Sequence, residues 1–368
     1  LDSSFLTFLA INVSYTLGIP ALADNKYFTI IFSIAIFWVL SILSTREISF
    51  AQIFTNTGAL GSTIPSLVLV IFAVLGVLVL QKQAPASVYS VHTLVSKMNA
   101  DFFVAISSIM FGFAGAETLA PFIKNIDEPE KNFPKAILMS ALLVAVLYVV
   151  GTISITLLIS PDEITASKGL LDAIGRGSAL LGIGPFFLQI IAAGISFSVI
   201  GAIILYISSP IKMLFGSVDG VFSERLTKTN KYDIPANAVY GQAALVTIIL
   251  LLTNLMPSVD AIYNVLLTMT ALASLFPYII LYASYIKLKK EKPELERPYK
   301  MVKNDSTAIW IARFLLTVTI IGLVLTASPV MNTFAENVIY EIEMIGGGIL
   351  IIISGLLMWR RKEKKAIN

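Results

Sequence analysis

Ten apolar segments of bilayer-crossing length follow one another along the chain, at about 5–23, 27–45, 64–81, 101–123, 136–159, 184–209, 238–256, 261–286, 307–327 and 338–359. A helical span needs about 20 apolar residues. Lipid offers the backbone no hydrogen bonds, so segments of this length are expected to be helices, and they are far longer than the strands of a membrane barrel. Composition agrees: 57% of the 368 residues are hydrophobic and 13% are charged, against about 25% charged in soluble domains. The loops are too short for a soluble domain. The expected fold class is all-α and integral to the membrane, with ten transmembrane helices.

Lys and Arg set the orientation of such a bundle. Of the 26 basic residues, 20 lie in one alternating set of loops and the C-terminal tail, 5 lie in the other set, and Arg313 lies inside a span. The first set is expected on the cytoplasmic side of the cell (plasma) membrane, with the C-terminus there too. The runs "KLKKEKPELERPYKMVK" and "WRRKEKK" read as positive-inside anchors, with binding of anionic lipid headgroups as the alternative. Nothing in a net charge of +3 points to nucleic acid. There is no cysteine and one histidine, His92, in an expected outer loop. Disulfides and thiolate chemistry are excluded, and neither a metal nor a haem cofactor is expected. Residue 1 is not Met, and the chain enters its first span almost at once without a signal-peptide pattern; its beginning is expected to be missing.

The fourth segment, "DFFVAISSIMFGFAGAETLAPFIKN", is interrupted. Gly112 and Gly115 lower its helix propensity by about 1 kcal/mol each. Pro121 has no N–H, so the carbonyl of Glu117 loses its usual donor. Glu117 falls well inside the apolar slab, where a charge costs about 2.5–3.5 kcal/mol. If the helix unwinds over 111–116, two half-helices meet near the midplane, one presenting free carbonyls and the other free N–H groups. Irregular backbone at that depth lines a cavity or is buried in protein, and it is the transporter arrangement for small zwitterions and ions. Two plainer alternatives stand beside this one. Gly112 and Ala116 have the spacing of a helix-packing motif, and Glu117 is equally a buried, protonated carboxyl bonded to a neighbouring helix.

The stretch continues "FGFAGAETLAPFIKNIDEPEKNFPKAI". A glycine break, a Glu and then Glu128, Lys131, Asn132, Pro134, Ala136 and Ile137 in the loop resemble the amino acid–polyamine–organocation (APC) superfamily, its sixth helix and its cytoplasmic loop signature. "ISPDEITASKGLLDAI" and "ERPYKM" look most like the glutamate/GABA antiporter branch. The resemblance implies that the ten spans are helices 3–12 of a 5+5 inverted-repeat (LeuT-like) transporter fold, without the first two helices and their glycine-rich carboxylate site. It implies a remainder of the first repeat over 1–100 with three helices. A second repeat of five helices follows over 101–290, its first helix broken, and then two C-terminal helices and a basic tail over 291–368. It implies substrate binding at Phe111, Gly112, Ala114 and Gly115, with carbonyls near Phe111 and Ala114 holding an ammonium and the Phe111 ring as a gate. Glu117 takes the coupling or pH-control position.

Further candidates lie on polar helix faces. Ser4, Thr7, Ser14 and Tyr15 share a face of the first span, Gln189 and Ser196 one of the sixth, and Asn264, Thr268, Ala271, Tyr278 and Tyr282 one of the eighth. Thr7, Ser196 and Thr268 are the substrate-site candidates among them, although Ser and Thr also bond their own helix backbone. Gly194, Gly201 and Ser208 form a small-residue stripe suited to packing. Asp260 is expected to cap its own helix. The function expected is secondary transport of amino acids by alternating access, through exchange or proton coupling. The alternatives are a transport-dead fragment or a non-transporting membrane subunit. An enzyme is not expected, because the usual nucleophile–base pairs are absent. Which amino acid is carried and the oligomeric state are not legible.

Overall fold

The computed structural model describes residues 2–46, 61, 63–90, 100–115, 123, 126–217, 223–232, 234–297, 299–326, 346, 353 and 360. Ten helices are named here: α1 (Asp2–Thr16), α2 (Lys26–Ser44), α3 (Thr63–Val79), α4 (Ala100–Gly112) and α5 (Pro129–Leu158), then α6 (Gly169–Leu180), α7 (Phe186–Ser217), α8 (Ala236–Leu252), α9 (Val259–Glu291) and α10 (Asp305–Thr326). Among the described residues, six helices are long and apolar enough to cross a membrane: α2, α5, α7, α8, α9 and α10. The first nine apolar segments each carry a helix, and the tenth lies almost wholly outside the described residues. No strand occurs among the described residues.

Local chemistry explains several boundaries that hydropathy misplaces. The first segment was expected to run to about residue 23, yet α1 stops at Thr16. Gly18 has φ +73, its N–H reaches the Tyr15 carbonyl at 3.0 Å, and the Ile19 N–H reaches the Ser14 carbonyl at 3.0 Å. This is the paired-bond helix stop that glycine permits, followed by proline. The same stop ends α6 at Gly182, where Ile183 N–H bonds the Ser178 carbonyl at 2.8 Å. Asn25 then starts α2 by accepting from the Phe28 N–H at 3.0 Å. At the far end of α3, Val74–Val79 winds as a π-helix.

The chain divides into two units. The first contains α1, α2, α3, α6, α7 and α8 with parts of α5 and α9; the second contains α4, α10 and the remainder of α5 and α9. In the first unit α1 is the central helix, with 10 of its 15 residues buried. It runs antiparallel to α7: Phe5 stacks on Tyr206 at 5.5 Å, while Gly18, at the other end, lies against the Gln189 side chain. The core joins Leu6, Leu9 and Ile11 of α1 to Ile203 and Ile207 of α7, Leu69 and Phe72 of α3, and Leu171 and Ile174 of α6. Close approach, rather than volume alone, seats α6: a Cβ on Gly177 would lie 2.7 Å from Phe72 Cβ. Likewise, a Cβ on Gly61 would lie 2.4 Å from the Gly194 carbonyl, so that part of the small-residue stripe is a packing surface. In the second unit α4 packs against α10.

Candidate substrate site

The end of the helix in the fourth segment is built from its backbone. α4 stops at Gly112, with eleven residues of the apolar segment 101–123 still to come. Beyond that point the hydrogen bonds shorten by one residue: Phe113 N–H bonds the Met110 carbonyl at 3.2 Å, and Ala114 N–H bonds the Phe111 carbonyl at 2.9 Å. Gly115 follows with φ +116, a conformation that side-chain-bearing residues rarely adopt. Phe111, Gly112, Ala114 and Gly115 are half-buried. A carbonyl has two lone pairs, so the Phe111 oxygen, already bonded to Ala114, retains capacity for a second donor. The helix C-terminus also carries partial negative charge. This end of α4 is therefore chemically suited to a small cation. Glu117 and Pro121 lie outside the described residues.

The remaining candidates distribute as follows. Thr7 on α1 and Ser196 on α7 belong to the first unit and are buried. Each bonds its own helix: Thr7 Oγ1 donates to the Ser3 carbonyl at 3.0 Å and Ser196 Oγ to the Ala192 carbonyl at 2.8 Å. Thr268 on α9 is buried in the second unit, with Phe111–Gly115. The loop signature folds on itself. Glu128 has φ +45, and its carbonyl accepts from the N–H groups of Lys131 and Asn132, both at 3.0 Å. Lys131 pairs with Glu128 at 3.1 Å, and Asn132 Nδ2 reaches the Asp127 carbonyl at 2.6 Å. Pro129 supplies the first helical residue, where its missing N–H costs nothing, and Pro134 lies inside α5. These residues build the entry to α5.

One polar cluster was not foreseen from the sequence. Where α1 ends, Tyr15 donates to Asp172 of α6, and Lys168 pairs with Asp24 at 2.7 Å. Asp260 does not cap α9 as expected. Ser258 Oγ accepts the Ala261 N–H at 3.1 Å and takes that role. Asp260 Oδ1 instead accepts from the Ser167 N–H at 3.2 Å and hydroxyl at 2.8 Å, and its Oδ2 accepts from Asn264 at 3.0 Å. The reason is the partner: a carboxylate gains more from two converging donors than from one helix amide. The only advance signal was the density of Asp, Ser and Lys in "SPDEITASKGLLD".

Comparison with known proteins adds the wider context. The family model described as amino acid permease matches residues 3–362. Over 366 residues the chain is 26% identical to the uncharacterized transporter lpg1691 of Legionella pneumophila, covering 98% of this chain and 78% of that protein. It is 23% identical over 350 residues to the probable agmatine/putrescine antiporter AguD of Lactococcus lactis, covering 94% and 73%. It is 23% identical over 341 residues to the glutamate/gamma-aminobutyrate antiporter of the same species, covering 90% and 67%.

Proposed function

This chain belongs to the amino acid permease family, and we propose that it carries amino acids across the plasma membrane by alternating access, through exchange or proton coupling. The observation that carries this reading is the end of α4 at Gly112, partway through an apolar segment. A helix abandoned at that depth is costly unless its peptide groups are buried in protein or line a cavity, and transporters use such ends to hold ligands. The carbonyl-bearing end favours the substrate ammonium, with Phe111, Gly112, Ala114 and Gly115 around it and Glu117 in the coupling position. Thr268 is proposed to contribute from α9. Thr7 and Ser196, buried in the first unit, are proposed as polar contributors within that unit. The names of AguD and the glutamate/gamma-aminobutyrate antiporter favour exchange over uniport. They differ in substrate charge, so neither supplies this chain's substrate.

The excess of basic residues in one set of loops supports a cytoplasmic C-terminus. Contact with anionic lipid is proposed for the end of α9 and the loop that follows it, through Lys290, Lys292, Lys300 and Lys303. Two other basic residues there are engaged internally: Lys289 is buried against Asp305, and Arg297 donates to the carbonyls of Leu288, Lys292, Pro293 and Leu295. The test of function is uptake of labelled amino acids into proteoliposomes containing this chain. The expected result is saturable uptake stimulated by unlabelled amino acid inside. Uptake equal to that of protein-free liposomes for acidic, basic and neutral amino acids overturns the proposal.

A further inference from the structure

α5 is held at one end. Its buried residues, Ser154, Leu157 and Leu158, all lie toward its C-terminus, and Leu157 and Leu158 share a core with Leu69 and Phe72 of α3. None of its most apolar stretch is buried, and Leu138, Leu142, Val146 and Val149 are exposed. The division of the chain falls within this helix: residues up to Ala145 belong to the second unit and those from Val146 to the first.

The buried end is also tied by hydrogen bonds. A helix leaves its last carbonyls without intrahelical donors, and here the segment that follows α3 supplies them. Ala86 N–H reaches the Leu157 carbonyl at 3.0 Å, and Gln83 Nε2 reaches the Leu158 carbonyl at 3.1 Å. One turn earlier, the Tyr89 hydroxyl donates to the Ile153 carbonyl at 3.2 Å and lies 2.7 Å from the Thr156 hydroxyl. The segment is itself rooted on α3, because Lys82 N–H reaches back to the Gly76 carbonyl at 2.9 Å.

Between the unburied length and the tied end lies "VGTISIT", residues 150–156. Gly151 is a weak helix former, and a Cβ there would meet nothing within 4 Å, so close packing does not require glycine. Ser154 Oγ donates to the Val150 carbonyl at 2.8 Å. Thr156 Oγ1 donates to the Thr152 and Ile153 carbonyls at 2.9 and 3.1 Å. Hydroxyls bonded back onto the preceding turn compete with the helix's own N–H groups and bend helices, and sharp bends concentrate at Gly and Ser pairs. A glycine that packing does not need, followed by two such hydroxyls, stands where a held end meets a free length. That is the makeup of a hinge.

We propose that α5 bends at Gly151–Thr156 during the transport cycle, with its C-terminal end fixed to α3 by the segment Gln83–Tyr89. The moving part is the length of α5 before Gly151. The hinge goes beyond the transport reading above and rests on it for its consequence, that substrate movement requires the bend.

Amide hydrogen exchange of the chain in lipid reads the hinge independently of transport. The amides of 151–156 are expected to exchange about tenfold faster than those of 142–148 and of 157–159, and Gly151→Ala is expected to remove most of that difference. Equal protection along α5, or an unchanged pattern in Gly151→Ala, overturns the hinge. In proteoliposomes, Gly151→Ala is expected to lower amino acid uptake several-fold at an unchanged or higher unfolding temperature. Wild-type uptake in that variant overturns the role of the bend in the cycle while leaving the transport reading intact. The chain has no cysteine, so Ala86→Cys with Leu157→Cys introduces a single pair across the tie. Oxidising that pair is expected to leave uptake equal to that of the reduced protein, because the joined ends do not part. Loss of uptake on oxidation that a reductant restores overturns the fixed end. If the wild type moves no amino acid, the transport reading fails, and the exchange arm still decides the hinge.

Discussion

Ser167 is held to the first turn of α9 by Asp260, whose Oδ1 accepts from both its N–H at 3.2 Å and its hydroxyl at 2.8 Å. The segment before α6 is thereby tied to a helix residue 93 positions further along the chain. Hydrogen bonds to a charged group contribute about 1.5–3 kcal/mol each, and Ser167 is buried. Asp260→Ala is expected to lower stability by about 2 kcal/mol, read as an earlier thermal transition in detergent. Asp260→Asn, which keeps an acceptor for Ser167, is expected to cost less.

Gly177 and Gly151 make a paired prediction. A methyl on Gly177 would press on Phe72 Cβ at 2.7 Å, whereas one on Gly151 would meet nothing within 4 Å. Overpacking costs about 1–3 kcal/mol, so Gly177→Ala is expected to destabilise by that amount. Gly151→Ala, in the interior of α5, is expected to be neutral or slightly stabilising. Thermal unfolding of the two variants side by side checks both.

Gly115 at φ +116 resists any side chain. Ala there stores about 1–3 kcal/mol of backbone strain, which the chain relieves by moving the peptide groups around it. Gly115→Ala is expected to lower amino acid uptake at least several-fold with a smaller change in unfolding temperature. Phe111→Ala, which removes the proposed gating ring and leaves the carbonyl, is expected to raise KM more than it lowers kcat. Both are read from uptake kinetics in proteoliposomes.

The basic loop after α9 divides into two populations with different expected phenotypes. Arg297→Ala removes a side chain that gathers four carbonyls at the end of α9. It is expected to cost about 1 kcal/mol, equally in neutral and anionic lipid. Neutralising Lys290, Lys292, Lys300 and Lys303 together is expected to remove the stabilisation that anionic lipid provides, about 1 kcal/mol per lysine near the surface. Thermal shifts in phosphatidylcholine and in phosphatidylglycerol vesicles separate the two.

The sequence is most informative where one interaction dominates. Long apolar segments with few charges have no alternative to helices in lipid, and the described helices other than α6 follow them. The stop of α4 at Gly112 was legible because glycines and a carboxylate interrupt such a segment. Hydropathy alone hid the end of α1, because Leu17, Ile19, Ala21 and Leu22 continue the apolar count past Gly18, where the backbone turns. It also hid α6, a 12-residue helix too short and too polar to register as a span, whose buried face faces protein. Asp260 was misassigned for a different reason. A residue in the first helical turn predicts a local cap, and the donors it serves come from a segment that only the fold brings near. The hydrogen bond that Gln242 of α8 donates to Asp2 of α1 was illegible on the same ground, since 240 positions separate the two residues.

The most direct test of the central claim, that this chain carries amino acids, is counterflow in proteoliposomes. Vesicles are loaded in turn with one unlabelled amino acid from an acidic, basic or neutral set, and the same labelled compound is added outside. The account predicts transient accumulation of label for at least one member and none for protein-free vesicles. Absence of accumulation for every member, from a preparation whose circular dichroism shows intact helices, would contradict it.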